Sequence, residues 1–326
     1  MAGNFRGYMT RRVVYTLLTV FLILTFNFLL FRVMPGDPAR ILIPKGASQD
    51  TIDSLRAHYG LDRPFIVQYF IYLEQTMTGH LGVSISKHPG SNVEDILGPY
   101  LENTIILAGI GTVLSILVGI YLGRETAWHR GKAVDRIGSA FFLVFYCMPT
   151  FLFALILLTF FAKFIPAWPI SSPYGDDYQN LDIMGKIWDR TIHTLLPLFA
   201  LVIETIATFS IITRSSLIDV LTEEYMVTAV AKGLKSRQIL RGHAMPNAML
   251  PVVTVVAMNV GWILSGSIMI EIVFSYRGLG LLTYEAVMGY DYPLIQAVFT
   301  LETVAVLIAN FLADMLLFKL DPRVKL

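Results

Sequence analysis

Six stretches of about twenty apolar residues recur along this 326-residue chain: Val13–Met34, Leu101–Gly123, Ile137–Phe164, Leu195–Ile212, Leu250–Phe274 and Leu294–Phe318. A hydrocarbon core ~30 Å thick takes about 20 residues of helix, and backbone polar groups inside it must be paired within the segment. The stretches are therefore expected as six transmembrane helices of an all-α, polytopic membrane protein. Composition agrees, because 55% of the residues are apolar and only 15% are charged, too little charge to cover a soluble surface. A formal net charge of +1 disfavours nucleic acid as a partner; the lipid bilayer is the expected one. The single Cys147 permits no disulfide within the chain. Arg6, Arg11 and Arg12 precede the first stretch as they would in a signal peptide. Its apolar run is too long for that role and no small-x-small site follows, so it reads as an anchor.

Basic residues fix the expected orientation. With six spans both termini share one side, and that side collects Arg6, Arg11, Arg12, Arg124, Arg130, Lys132, Arg136, Arg214, Lys232, Lys235, Arg237, Arg241, Lys319, Arg323 and Lys325. The opposite loops are poorer in Lys and Arg and richer in Asp. By the positive-inside rule both termini are expected in the cytosol, which makes the chain a multi-pass protein of the cytoplasmic membrane.

Three regions follow: residues 1–34, an N-terminus and first span; 35–100, an external insertion; and 101–326, a membrane core with a cytosolic loop at 214–249. In the insertion Ser48 is positioned to cap a short helix ending at Gly60. Asp62 and Pro64 open a second helix, amphipathic through Ile66, Tyr69, Phe70 and Leu73, that ends near Gly79. Such an insertion can be a cap on the span ends or a docking platform, and the two are compatible. In the second span Gly111, Ser115, Gly119 and Gly123 recur every four residues on one helix face, where small side chains let a neighbouring helix approach closely. Pro149 removes a backbone hydrogen bond early in the third span and permits a kink. Among membrane-level carboxylates Glu204 and Glu302 stand out; each either lines a pathway or pairs within the bundle. Glu271 and Asp314 lie nearer the span ends, where partial solvation is expected to make them inexpensive.

The segment Tyr225–Pro251, "YMVTAVAKGLKSRQILRGHAMPNAMLP", is basic, helix-forming and too polar to cross a bilayer. Periodicity predicts a helix over 217–232, a break at Gly233 and a shorter helix over 236–243. Small residues at that corner make either a knob fit for a partner's groove, with Lys235 and Arg237 suited to an acidic rim, or an interfacial pair on lipid headgroups. No G-x-x-x-x-G-K-[ST] loop, H-E-x-x-H, G-x-S-x-G or paired Cys/His cluster occurs. No catalytic, metal or cofactor residue is therefore expected, and the chain is not read as an enzyme.

"VTAVAKGLKSRQILRGHAMP" (Val227–Pro246) resembles the cytoplasmic EAA loop of ABC-importer permeases, E-A-A-x3-G-x9-I-x-L-P. Val227, Thr228 and Ala229 fill the first three positions, Gly233 the glycine, and His243–Pro246 the last group. The dipeptide/oligopeptide branch is more similar still. Its "T-A-x-A-K-G-L…R-H-A…N-A-L-x-P" version runs here from Thr228 to Pro251. "RVMPGDPA" (Arg32–Ala39), "YGLDRPFIVQY" (Tyr59–Tyr69), "GHLGVSI" (Gly79–Ile85), "EIVFSYRGLG" (Glu271–Gly280), "DYPLIQAV" (Asp291–Val298) and "LDPRVKL" (Leu320–Leu326) follow in the branch's order. The resemblance implies the first permease subunit of a peptide-type importer. Its coupling helices between spans four and five would dock on an ATP-binding subunit through Ala229, Gly233 and Leu234, beside Val227 and Thr228 and flanked by Lys232, Lys235 and Arg237. It further implies a second homologous permease subunit completing a heterodimer, one or two ATP-binding subunits that hold the ATP and Mg, and an external solute-binding protein. The implied cargo is peptides, with oligosaccharides or nickel chelates as alternatives. An ion-gradient-driven secondary transporter using Glu204 or Glu302 is the competing class, disfavoured because the halves show no inverted repeat.

Overall fold

A computed structural model describes residues 5–33, 62–262 and 268–320. Regular structure there is helical, apart from an isolated bridge between Val83 and Asn92. The helix expected to end at Gly60 lies outside the described residues.

Helix α1 (Phe5–Val33) carries the first span. After it α2 (Phe65–Thr78) begins at Pro64 and ends at Gly79, whose φ of 78° lets His80 N–H reach back to the Gln75 carbonyl at 2.9 Å; a side chain there would resist that left-handed turn. Helix α3 (Val93–Thr104) runs through a π turn at Ile105–Gly109 into α4 (Ile110–Trp128), so the second span is one continuous helix of 36 residues. It starts eight residues before the apolar stretch because Glu94, Asp95 and Asn92 suit a helix N-terminus. Pro99 lies inside it, six residues before the π turn.

The third stretch divides into α5 (Ala133–Cys147) and α6 (Thr150–Phe164), whose axes meet at 99°. Pro149 excludes its predecessor from helical backbone, and Met148 is extended at φ −78°, ψ 125°. The expected kink is therefore a full break. Helix α7 (Ile183–Leu221) has 39 residues; Asp182 caps it by accepting from Gly185 N–H at 2.9 Å. Short helices α8 (Glu224–Ala231) and α9 (Ser236–Ile239) lead through a π turn at Leu240–Ala244 into α10 (Met245–Trp262). Then come α11 (Ile268–Val273), α12 (Leu279–Met288) and α13 (Tyr292–Leu320). Among the described residues four helices are long and apolar enough to cross a membrane, or five if the bent α5–α6 pair is one span. The expected Leu250–Phe274 span is shared between α10 and α11, with residues 263–267 outside the description.

The bundle is built on α4 against α7. A Cβ at Gly111 would come 2.6 Å from Leu201 Cδ2, one at Gly119 2.6 Å from Phe209 Cβ, and one at Gly123 2.5 Å from the Ser210 carbonyl. Ser115 Oγ donates to the Val202 carbonyl at 3.4 Å, and Ser210 Oγ to that of Gly119 at 3.2 Å. The four small residues therefore share the α4–α7 seam, where close packing replaces the absent hydrophobic drive between helices in lipid. One core cluster seals the end opposite the 222–244 loop (Val93, Leu97, Leu282, Leu294, Val298), and one lies behind α6 (Ala154, Leu196, Ala200, Phe274, Tyr276). A third sits beneath the loop itself.

Candidate functional site

The loop between α7 and α10 is a folded knob. On α8, Met226 and Ala229 lie three apart on one helix face and are buried, with Leu217, Ile239, Ala244 and Ala248, in the third core cluster. Their inward direction forces the intervening residues outward: Val227 is 69% exposed, Val230 62% and Tyr225 42%. Ala231 N-terminal to the turn and Thr228 are exposed as well. Gly233 N–H donates to the Val230 carbonyl at 2.9 Å, with Gly233 at φ +72°; the chain thereby reverses in two residues, and a Cβ there would point into open space. Lys235 N–H donates to Gln238 Oε1 at 2.9 Å to open α9. Ser216 Oγ donates to the Ala248 carbonyl at 2.7 Å, fastening α7 to α10 behind the knob.

Of the residues selected from sequence, Val227, Thr228, Lys232, Gly233, Lys235 and Arg237 are exposed, and Leu234 is half-buried against the knob's own core. Ala229 is only 5% exposed and packs within this chain's own core. Tyr225 and Val230, not selected from sequence, lie on the outer face. They were legible in principle, since placing Met226 and Ala229 inward at helical spacing sends 227 and 230 outward. Exposed Lys232, Lys235, Arg237 and Arg241 follow this small apolar ridge along the chain, and exposed Glu223 and Glu224 precede it.

The knob is tied to the bundle through α7. Near its C-terminal end Arg214 Nε donates to Asp135 Oδ1 at 2.7 Å; Asp135 Oδ2 also accepts from Gly131 N–H at 2.8 Å, so the start of α5 is held to α7. Midway along α7 the half-buried Glu204 accepts a hydrogen bond from Thr150 Oγ1, the first residue of α6. One continuous helix thus holds both halves of the broken third span. Glu302 on α13 is partly buried, and its Oε1 has no hydrogen-bond partner among the described residues.

Two carboxylates matter more than sequence reasoning allowed. Glu271 was expected to be partly solvated; it is 0% exposed. It accepts from Thr104 Oγ1 at 3.0 Å and Leu281 N–H at 3.0 Å, while Leu279 N–H donates to Thr104 Oγ1 at 2.7 Å. A buried carboxylate is tolerable only with such donors; here one comes from Thr104 at the end of α3 and one from Leu281 in the first turn of α12, so Glu271 joins the two helices. Asp291, also 0% exposed, accepts from Ser84 Oγ (2.5 Å) and from the N–H groups of Ile85, Ser86 and Lys87 (3.2, 3.1 and 2.9 Å). It anchors the loop after α2 to the start of α13. The signal for it was an Asp two residues before Pro293 at a helix start. The side chain of Asp314 lies outside the described residues.

Comparison with known proteins places this architecture. Residues 111–326 match the family described as "Binding-protein-dependent transport system inner membrane component", and residues 5–91 match its N-terminal region. A probable peptide ABC transporter permease protein of Sinorhizobium fredii is 33% identical over 98% of this chain and 99% of its own length. The dipeptide transport system permease protein DppB of Bacillus subtilis is 33% identical over 98% of both chains. The glutathione transport system permease protein GsiC of Salmonella choleraesuis is 32% identical over 98% and 99%. The inward-facing MetNI methionine ABC transporter contains a similar chain, with a TM-score of 0.55 over 69% of this chain and 96% of that one, at 15% identity; that likeness concerns the fold. Helical, multi-pass and built around a protruding loop, the chain belongs to the family of binding-protein-dependent transport system inner membrane components.

Proposed function

We propose that this chain is one of two membrane-spanning subunits of an ATP-driven, binding-protein-dependent importer, forming half of the pathway for peptides. The observation that carries the mechanism is the knob. It offers Tyr225, Val227 and Val230 outward, turns sharply at Gly233, and is backed by its own core. That is a surface built to be held by another protein. ATP and its Mg belong to one or two separate ATP-binding subunits; their groove would take the apolar ridge, with an acidic rim facing Lys232, Lys235 and Arg237.

A 39-residue helix is about 58 Å long at 1.5 Å per residue, so α7 runs from the knob through the bundle to the far end. Motion imposed on the knob by ATP binding would act on α4 through the small-residue seam. It would act on α5 and α6 through Asp135 and Thr150. Two conformations of the bundle, biased by the partner's nucleotide state, then give alternating access. On this reading the knob and both termini are cytosolic. The opposite face, where the Asp291-anchored loop lies, receives substrate from an external solute-binding protein, and a second homologous permease subunit completes the pathway as a heterodimer. Peptides as cargo are supported by the names of relatives matched over nearly the whole chain. Oligosaccharides or nickel chelates are what the same machinery would otherwise carry.

The test is purification of the tagged subunit in mild detergent with its neighbours crosslinked. Recovery of an ATP-binding subunit, a second six-span chain and an external binding protein is expected, and the ligand of that binding protein names the cargo. Recovery of the intact chain alone, with uptake driven by a proton gradient and not by ATP, would overturn the proposal.

A further inference from the structure

Helix α2 carries apolar side chains on two faces. One face meets α1 and α13: Tyr69 Oη and Thr25 Oγ1 are 2.7 Å apart, Tyr72 Oη and Thr300 Oγ1 3.3 Å, and the rings of Phe65, Tyr69 and Tyr72 all pack on Phe28. The second face is uncovered: Ile66 is 58% exposed, Phe70 63% and Met77 84%. Spacings of four and seven residues put these three within about 40° of one another around the helix, and Gln75 on nearly the opposite side.

The contacts also fix the direction of α2. One ring of α1, Phe28, touches Phe65, Tyr69 and Tyr72, two turns of α2, while Thr25, one turn earlier on α1, meets the middle one, Tyr69. A helix running alongside α1 would meet a new residue at each turn, so α2 crosses α1 and lies across the bundle axis. Its depth follows from Thr25, five residues inside the apolar segment that ends at Leu30, or about 8 Å by helical rise. Asn27 Nδ2 donates to Thr300 Oγ1 at 2.8 Å, which sets α13 at the same level. Tyr69, the contact reaching deepest on α1, sits on the side of α2 next to the Ile66–Phe70–Met77 stripe, so the stripe points inward from the membrane surface.

We infer that α2 is an in-plane interfacial helix. Its Ile66–Phe70–Met77 stripe is buried in the acyl-headgroup boundary of the leaflet opposite the knob, and Gln75 faces water. Interfacial helices bury their apolar faces about 5–10 Å deep, which matches the depth given by Thr25. The occupant of this face is lipid. The insertion after α1 thereby rests on the membrane, and the Asp291-anchored loop that follows is held at its surface.

The experiment uses the whole transporter in phospholipid vesicles. With Cys147, exposed in this chain, replaced by Ser, single cysteines at 66, 70, 75 and 77 carry a nitroxide. Collision with oxygen, enriched in lipid, is compared with collision with a water-soluble nickel chelate. The oxygen-to-nickel ratio is expected to be severalfold higher at 66, 70 and 77 than at 75. Nickel access at 70 and 77 equal to that at 75 would overturn the inference in favour of a water-facing platform. Low access to both reagents would overturn it in favour of a protein partner. Met77, with the least packing to lose, decides the matter if the variants at 66 and 70 fail to assemble.

Discussion

Replacing Val227 and Val230 together by Ser separates docking from folding. Both side chains point away from this chain's core, 69% and 62% exposed, so the subunit itself should insert and pack as before. Full burial of a Val is worth about 1.5–3 kcal/mol. With roughly two-thirds of each side chain still open, burial in a partner's groove would supply about 1–2 kcal/mol per residue, and the pair about 2–4 kcal/mol. Truncation of interface side chains is not additive, so the lower end is the sound expectation: about 2 kcal/mol, or roughly 30-fold weaker binding. The assay is a titration of the ATP-binding subunit against the purified permease pair, followed by fluorescence anisotropy. The control is Ala229→Leu, which overfills the core beneath the knob at a cost of about 1–3 kcal/mol and should lower thermal stability of the isolated subunit. Binding by the double Ser variant within twofold of wild type would refute the assignment of the outward face.

Gly233→Asn should retain ATP-driven uptake, since Asn tolerates the left-handed region that φ +72° demands. Gly233→Glu should leave the subunit in the membrane yet abolish uptake, and equal uptake by the two in vesicles would remove the coupling role of this corner. Gly119→Leu places a side chain where even a Cβ lies 2.6 Å from Phe209; a loss of about 1–3 kcal/mol is expected, read as aggregation on size-exclusion chromatography. Asp291→Ala leaves four donors from residues 84–87 without their acceptor, at about 1–3 kcal/mol for each group that stays buried. Hydrogen exchange at residues 85–87 should accelerate by at least tenfold while exchange in α4 is unchanged.

Much of the site was legible as a pattern. The small residues from Gly111 to Gly123 recur at helical spacing, and that period alone puts them on one side of α4. Gly233 between two helical, basic segments marks a turn because glycine is costly within a helix. Composition could not give the rotation of α8 about its axis. Ala229 is small, apolar and central to the motif, but whether it faces a partner or its own bundle depends on Leu217 and Ala248, which are close only after α7 and α10 fold together. The expected solvation of Glu271 failed for a related reason. Position near a span end suggested water, whereas α12 folds back over it and donates backbone N–H groups to it.

The sequence by itself determined that the chain enters a membrane as helices, that a basic polar segment interrupts them, and which residues are small enough for close helix contact. Those properties follow from local length, hydropathy and period, and need no knowledge of neighbours. Tertiary structure decided the right-angle break at Pro149 rather than a kink. It also decided the grip of α7 on both halves of that break, the outward ridge at Tyr225, Val227 and Val230, and the crossing of α2 over α1. Each of these depends on which side chain from a distant segment fills a given space or offers a given donor. A one-dimensional pattern carries no distance between residues far apart in the chain, so packing and hydrogen-bond satisfaction make those choices only once the helices have met.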